Sequence, residues 1–268
     1  MVTDRLDRSP GPGDRADPEV VQRYSRPVRW FHAGVYVTVL ILLGTGWWLL
    51  AGKEGDPSPF ARLFGTPDTT LHKNVGWALV GLAVAGIALG PRAVRTFVLE
   101  SLRFRKPDGR WFIAWPAALI TGRFSRHEGH FDPGQRIMNV LLTLSLIILV
   151  GSGIGLVQVH GGPTFVLFAR LHKWSTYVVT VLLAGHVLVA AGVLPGYRGA
   201  WRSMHLGGRL RIGVARRLWP GWLERFERSR RPNRPSRPGT SPSQTTPPSS
   251  TTPPSSTTTP RSNPPRTK

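Results

Sequence analysis

The chain of 268 residues contains no cysteine, which excludes disulfides, Cys-x-x-Cys-His attachment motifs and thiolate-held metal clusters. Its formal net charge of +21 would suit nucleic-acid binding, but the basic residues flank apolar blocks, so the charge reads as membrane topology and nucleic acid is not an expected partner. Residues 1–20 are rich in Pro, Gly and Asp and are expected to be disordered. Four stretches follow, at about 30–50, 72–90, 136–157 and 167–194, each with few charges and long enough for the roughly 20 residues that a bilayer crossing takes. The fold class expected is an all-α membrane protein with a four-transmembrane-helix bundle over residues 21–200. The first apolar run begins after about 29 residues and is followed by further spans, so it is read as its own insertion signal and not as a signal peptide. Residues 201–229 carry Trp201, Leu206, Leu210, Leu218 and Trp222 among arginines and read as a basic segment lying on the membrane surface, partly helical until Pro220. Residues 230–268 are Pro/Ser/Thr-rich and cannot form a core.

Charge orients the spans. Residues 51–71 carry Lys53 and Arg62 against Glu54, Asp56 and Asp68, and the loop after span three offers only Arg170. The segment joining spans two and three instead carries Arg92, Arg95, Arg103, Arg105, Lys106, Arg110, Arg123, Arg126 and Arg136, and both termini are arginine-rich. The positive-inside rule then puts both termini and the central loop in the cytoplasm of a multi-pass inner (plasma) membrane protein.

Within the spans stand four histidines, His32, His72, His172 and His186. Ionisable groups inside a membrane are expensive and mark function by default, and neutral imidazole is a good ligand for iron. His172 and His186 are 14 residues apart, which in a helix is about 21 Å of rise and about 40° short of four turns, so they share a face at opposite depths. Depth pairs His72 with His172 on the outer side and His32 with His186 on the inner side. The pattern points to two b-type haems stacked across the membrane, held without thioether links. Leu71-His72-Lys73 and Leu171-His172-Lys173 repeat one tripeptide at the outer site, where Lys73 and Lys173 could pair with haem propionates while their stems snorkel. Gly34, Gly76 and Gly185 allow close backbone approach beside the ligands. A transporter or helical scaffold with structural histidines is the reading from a different class.

The order Arg29-Trp30-Phe31-His32, Leu71-His72-Lys73, Phe131-Asp132-Pro133-Gly134-Gln135-Arg136, then His172 and His186 resembles the cytochrome b (gamma) subunit of respiratory formate dehydrogenases over residues 20–225. Related cytochromes b serve nickel–iron hydrogenases and thiosulfate reductases. The resemblance implies an electron-transfer subunit, not a catalytic one, that anchors an iron–sulfur subunit and a catalytic molybdopterin subunit and exchanges electrons with menaquinone or ubiquinone. It implies the same histidine pairing, and a quinone pocket near His186 built from Asp132, Gly134 and Gln135, where family members have Asn-Ala-Gly-Gln. Read from the residues alone, Asp132-Pro133-Gly134 is also an opening turn with Asp132 at a helix N-terminus. A cytochrome b of a hydrogenase or other molybdopterin oxidoreductase, or a stand-alone cytochrome b561-like quinone oxidoreductase, is the alternative. His127 and His130 make a weak metal motif and are expected at the quinone headgroup or the cytoplasmic surface, His160 in the outer loop and His205 at the interface.

Overall fold

The computed structural model describes residues 20–53 and 55–230; the segments 1–19 and 231–268, expected to be disordered, lie outside the described residues. Strand β1 (Val20–Gln22) leads into α1 (Arg26–Leu50), and the short α2 (Pro59–Phe64) sits in the loop before α3 (Asp68–Leu89). Helices α4 (Pro91–Ser101) and α5 (Asp108–Thr121) fill the central segment, followed by α6 (Pro133–Gln158) and α7 (Gly162–Ala190). Short 3-10 turns then lead to β2 (Arg209–Arg211), α8 (Ile212–Leu218) and α9 (Pro220–Arg230).

Among the described residues α1, α3, α6 and α7 are the four helices long and apolar enough to cross a membrane. Between 11% and 17% of each apolar window is buried inside the protein, which leaves residues such as Leu40, Val84, Ile147 and Val181 for lipid. Each helix starts a few residues before its apolar run. Prolines in the first turns of α1, α6 and α7 lose no hydrogen bond there, and Asp68 in the first turn of α3 faces the positive end of the helix dipole. Helix α7 stops at Ala190, short of the expected 194, where Gly192 turns the chain at φ +70°. Helix α1 packs along α3 and α6 along α7, whereas the two hairpins touch each other sparsely. One link between them is Trp47 Nε1, which donates to Thr180 Oγ1 at 3.0 Å.

Both ends of the described chain meet in a polar cap on the bundle. Strand β1 pairs antiparallel with β2, Val21 opposite Leu210. Val21, Tyr197, Leu210, Ala215, Leu218, Trp219, Trp222 and Leu223 form a core against Leu119 and Phe124. This corrects the expectation for residues 201–229. Leu210, Leu218, Trp219, Trp222 and Leu223 turn inward into this core instead of lying on a membrane, while Leu206 stays exposed, and Pro220 opens α9 instead of ending helicity.

The cap is anchored to the bundle by Arg136, which is 1% exposed in the first turn of α6. Its guanidinium donates to the carbonyls of Phe131 at 3.1 Å and Arg103 at 2.6 Å, to that of Glu128, and to Asp108 Oδ2 at 2.9 Å. One side chain therefore joins the end of α4, the start of α5 and the loop before α6. Removing one partner of a buried pair leaves the other charge unpaired and costs about 3–5 kcal/mol. Arg136→Met is expected to loosen the cap by that order while the spans stay helical, seen as faster tryptic cleavage at Arg103, Arg105 and Arg126 with unchanged far-ultraviolet circular dichroism.

Candidate functional site

The four span histidines meet in two pairs. The rings of His72 (α3) and His172 (α7) are 6.1 Å apart between centroids, and those of His32 (α1) and His186 (α7) are 6.3 Å apart. All four are half-buried. Each pair is made across the thin seam between the hairpins, and α7 contributes to both.

Within each hairpin a hydroxyl holds the outer ring. His72 Nδ1 is 2.9 Å from Thr45 Oγ1 on α1, and Thr45 commits its own proton to the Ile41 carbonyl at 2.8 Å. The hydroxyl is left to accept, so His72 Nδ1 carries the hydrogen. His172 Nδ1 is 3.1 Å from both Ser152 Oγ and the Leu149 carbonyl on α6, and Ser152 donates to the Ile148 carbonyl at 2.6 Å. A carbonyl can only accept, so His172 Nδ1 is also the protonated nitrogen. Both rings therefore present a free Nε2 lone pair, the tautomer that a metal ligand needs. The residue after each hydroxyl is glycine. A β carbon at Gly46 would stand 3.2 Å from His72 Cε1, and one at Gly153 would stand 3.3 Å from His172 Cε1.

These pairs fit the iron of a haem. Two imidazoles bound to opposite sides of one metal ion by bonds of about 2 Å hold their ring centres roughly 6 Å apart. Among the described residues no group of three or more His, Cys, Asp or Glu gathers to hold a metal ion alone, so each pair could offer two imidazole nitrogens to a haem iron whose remaining ligands the porphyrin would supply.

The inner pair continues outward. Tyr36 lies 5.8 Å from His32, and His205 lies 6.2 Å from Tyr36, between ring centroids. His205 is exposed. Its backbone leads into Leu206, held at φ +46°, then Gly207 and Gly208 at +84° and +72°, a tight turn that brings this segment back over the start of α1. Lys73 and Lys173 are exposed beside the outer pair, and His160 is exposed in the loop between α6 and α7.

The expected quinone residues are occupied with opening α6. Asp132 is its N-cap: Oδ1 accepts from Gln135 N at 2.8 Å, and Gln135 Oε1 accepts from Asp132 N at 3.4 Å, a reciprocal capping box. Gln135 Oε1 also accepts from Trp219 Nε1 at 2.7 Å, and Trp111 covers Gly134, where a β carbon would meet its ring at 2.8 Å. Asp132 Oδ2 is buried without a partner. His127 and His130 are packed in the cap, where burial and the nearby Arg136 and Arg23 hold their rings neutral, lowered to about 4 and about 3. The His130 ring lies among Tyr24, Phe131 and Trp222.

Thr45, Gly46, Ser152, Gly153 and Tyr36 lie against the paired histidines, and reading the spans for ligands misses them. A signal was present: a hydroxyl-glycine dipeptide occurs in α1 and again in α6, on the helix packed against each outer histidine.

A family model described as prokaryotic cytochrome b561 matches residues 23–207, more than half of the chain. The chain belongs to the prokaryotic cytochrome b561 family. It is thus a membrane cytochrome b, a class that holds b-type haem and transfers electrons. No curated protein matches it. The matched region begins just after β1, runs through the His205 turn and leaves β2, α8 and α9 outside.

Burial raises the Asp132 carboxyl from 3.8 to about 6, opposed by the Gln135 and Gly134 backbone amides, Arg23 and Arg136. A folded-state value above the unfolded one gives stability that is present below about pH 4 and is lost as pH rises through 6. His127 and His130 act in the opposite sense, their contribution being lost as pH falls below 6.5. Asp132→Asn keeps a capping side chain and removes the buried charge. The variant is expected to match the wild type near pH 4 and to exceed it above pH 6 by at most about 3 kcal/mol, read from thermal midpoints across that range.

Proposed function

We propose that the protein is a diheme cytochrome b that anchors a formate dehydrogenase-like complex in the inner membrane and carries electrons between an iron–sulfur subunit, with its molybdopterin partner, and the quinone pool. The observation that carries this reading is that α7 bears one member of each histidine pair, 14 residues apart, with partners at 6.1 and 6.3 Å. A b-type haem held by two imidazoles exchanges one electron at a time. The residues of the chain do the rest: His72 and His172, with Nε2 free, and His32 and His186 would hold the iron, Thr45 and Ser152 keep the outer rings oriented, and the apolar spans exclude water. Lys73 and Lys173, exposed beside the outer pair, are suited to propionates.

The charge asymmetry supports an outer His72–His172 site and a cytoplasmic cap. Electrons would pass between the iron–sulfur subunit at the outer pair and menaquinone or ubiquinone at the inner one, where Tyr36 lies beside His32 and exposed His205 beside Tyr36, side chains suited to handle the proton of a quinol. Asp132, Gly134 and Gln135 serve this site indirectly, by setting where α6 begins. A stand-alone quinone oxidoreductase is the second reading, favoured by the description of the matching family. Recovery of an iron–sulfur subunit with the affinity-purified cytochrome separates the two, and the identity of its catalytic partner separates a formate dehydrogenase from a hydrogenase.

The purified protein is expected to hold two haems per chain that titrate as two redox waves. His72→Ala and His172→Ala should remove the same wave, and His32→Ala and His186→Ala the other. Removal of different waves by His72→Ala and His172→Ala would falsify the pairing. Thr45→Val and Ser152→Ala should leave the inner wave in place, shift the outer midpoint and weaken retention of the outer haem by about 10–100-fold, with Thr45→Ser restoring it.

A further inference from the structure

The chain carries a second membrane-seeking element besides its four spans. Helix α5 reads Trp-Phe-Ile-Ala-Trp-Pro-Ala-Ala-Leu-Ile from Trp111 to Ile120, with no charge, and has Arg110 before it and Arg123 after it. Ten residues are too few to span a bilayer. One face is committed to the protein: Trp111 is 2% exposed and Ala118 1%. The opposite face is open, with Ile113 84% exposed, Ile120 74% exposed, and Pro116 and Ala117 exposed between them. Positions 113, 116, 117 and 120 follow the helical repeat and form one stripe.

The level of α5 is set by what it touches. Trp111 covers Gly134 in the first turn of α6, the Ala118 carbonyl lies against Gly196 just after α7, and Trp115 Nε1 donates to the Tyr197 hydroxyl at 3.2 Å. Helix α5 therefore lies where one span begins and another has just ended, the depth of the headgroup boundary. An uncharged apolar stripe at that depth, with exposed Arg110 and Arg123 at its ends and Arg105 and Lys106 nearby, has the chemistry of an interfacial helix.

We propose that α5 is an in-plane anchor, its Ile113–Ile120 face seated in the leaflet on the cap side and its flanking arginines on anionic headgroups. The anchor ties the cap to the bilayer beside the bundle. The occupant is lipid: basic residues at both ends complement an anionic surface, and the stripe continues the lipid-facing surface of the spans.

Because the chain has no cysteine, Ile113→Cys and Ile120→Cys each create a single labelling site in the full-length protein. Each is spin-labelled and reconstituted in nanodiscs of phosphatidylethanolamine and phosphatidylglycerol, and its collisions with oxygen and with a water-soluble nickel chelate are measured. Val84→Cys, in a lipid-facing stretch of α3, and Lys106→Cys, exposed in the cap, are the references. Both α5 labels are expected to favour oxygen over nickel as Val84→Cys does, and replacing phosphatidylglycerol by phosphatidylcholine should shift them toward the Lys106→Cys ratio. Arg110→Gln with Arg123→Gln should abolish that lipid dependence. Nickel accessibility equal to that of Lys106→Cys would overturn the anchor. So would protection from both agents with spin–spin broadening that grows with the number of chains per disc, which would put a second copy on this face. A labelled variant that loses the native haem spectrum is replaced by Ala117→Cys, on the same stripe.

Discussion

The outer histidines face one another with each Nδ1 tied to a neighbouring helix, that of His72 by the Thr45 hydroxyl and that of His172 by the Ser152 hydroxyl and the Leu149 carbonyl. Inside lipid there is no water to take a stray imidazole N–H, so the hydrogen must find an acceptor on a neighbouring helix. Thr45 and Ser152 can serve because each gives its own proton to a carbonyl of its own helix. A hydroxyl so committed cannot donate to the ring, which removes the choice of tautomer. Gly46 and Gly153 then let each ring lie against the partner helix. The protonation that suits iron is set in the second layer of contacts, before any group is bound.

These hydroxyl contacts lie within hairpins, α1 with α3 and α6 with α7, whereas the histidine pairs lie between them. The two kinds of contact divide the work. Each hairpin orients its own outer ligand, and the seam between hairpins, thin in direct helix contact, is where a flat group with two axial ligands would bridge. Helix α7 is common to both pairs, so the separation of the two sites along the membrane normal follows from its rise per residue. Any change in the length or pitch of α7 between His172 and His186 would alter both sites together.

The cap solves a different problem, that of holding long basic segments over the bundle. Arg136 is satisfied by three carbonyls and Asp108, which makes it a stable buried cation, whereas Asp132 four residues earlier leaves Oδ2 without a partner. The contrast shows how the start of α6 is used. Its polar groups serve the capping box, the Trp219 contact and the cap.

The number, order and approximate limits of the spans were legible in the residues, because lipid demands about 20 apolar positions per crossing and little else resembles that pattern. The grouping of His72 with His172 and of His32 with His186 was legible too, since rise per residue converts position along a helix into depth. Only the tertiary structure decided which hydroxyl meets which ring, that Leu210, Leu218, Trp219, Trp222 and Leu223 turn inward onto Val21, Leu119 and Phe124, and that Gln135 is held by Trp219, 84 positions away. An apolar pattern states that a face is buried but not against what, and a polar residue states that it needs a partner but not which one. Those answers depend on surfaces meeting across long stretches of chain, and that meeting is a property of the packed molecule.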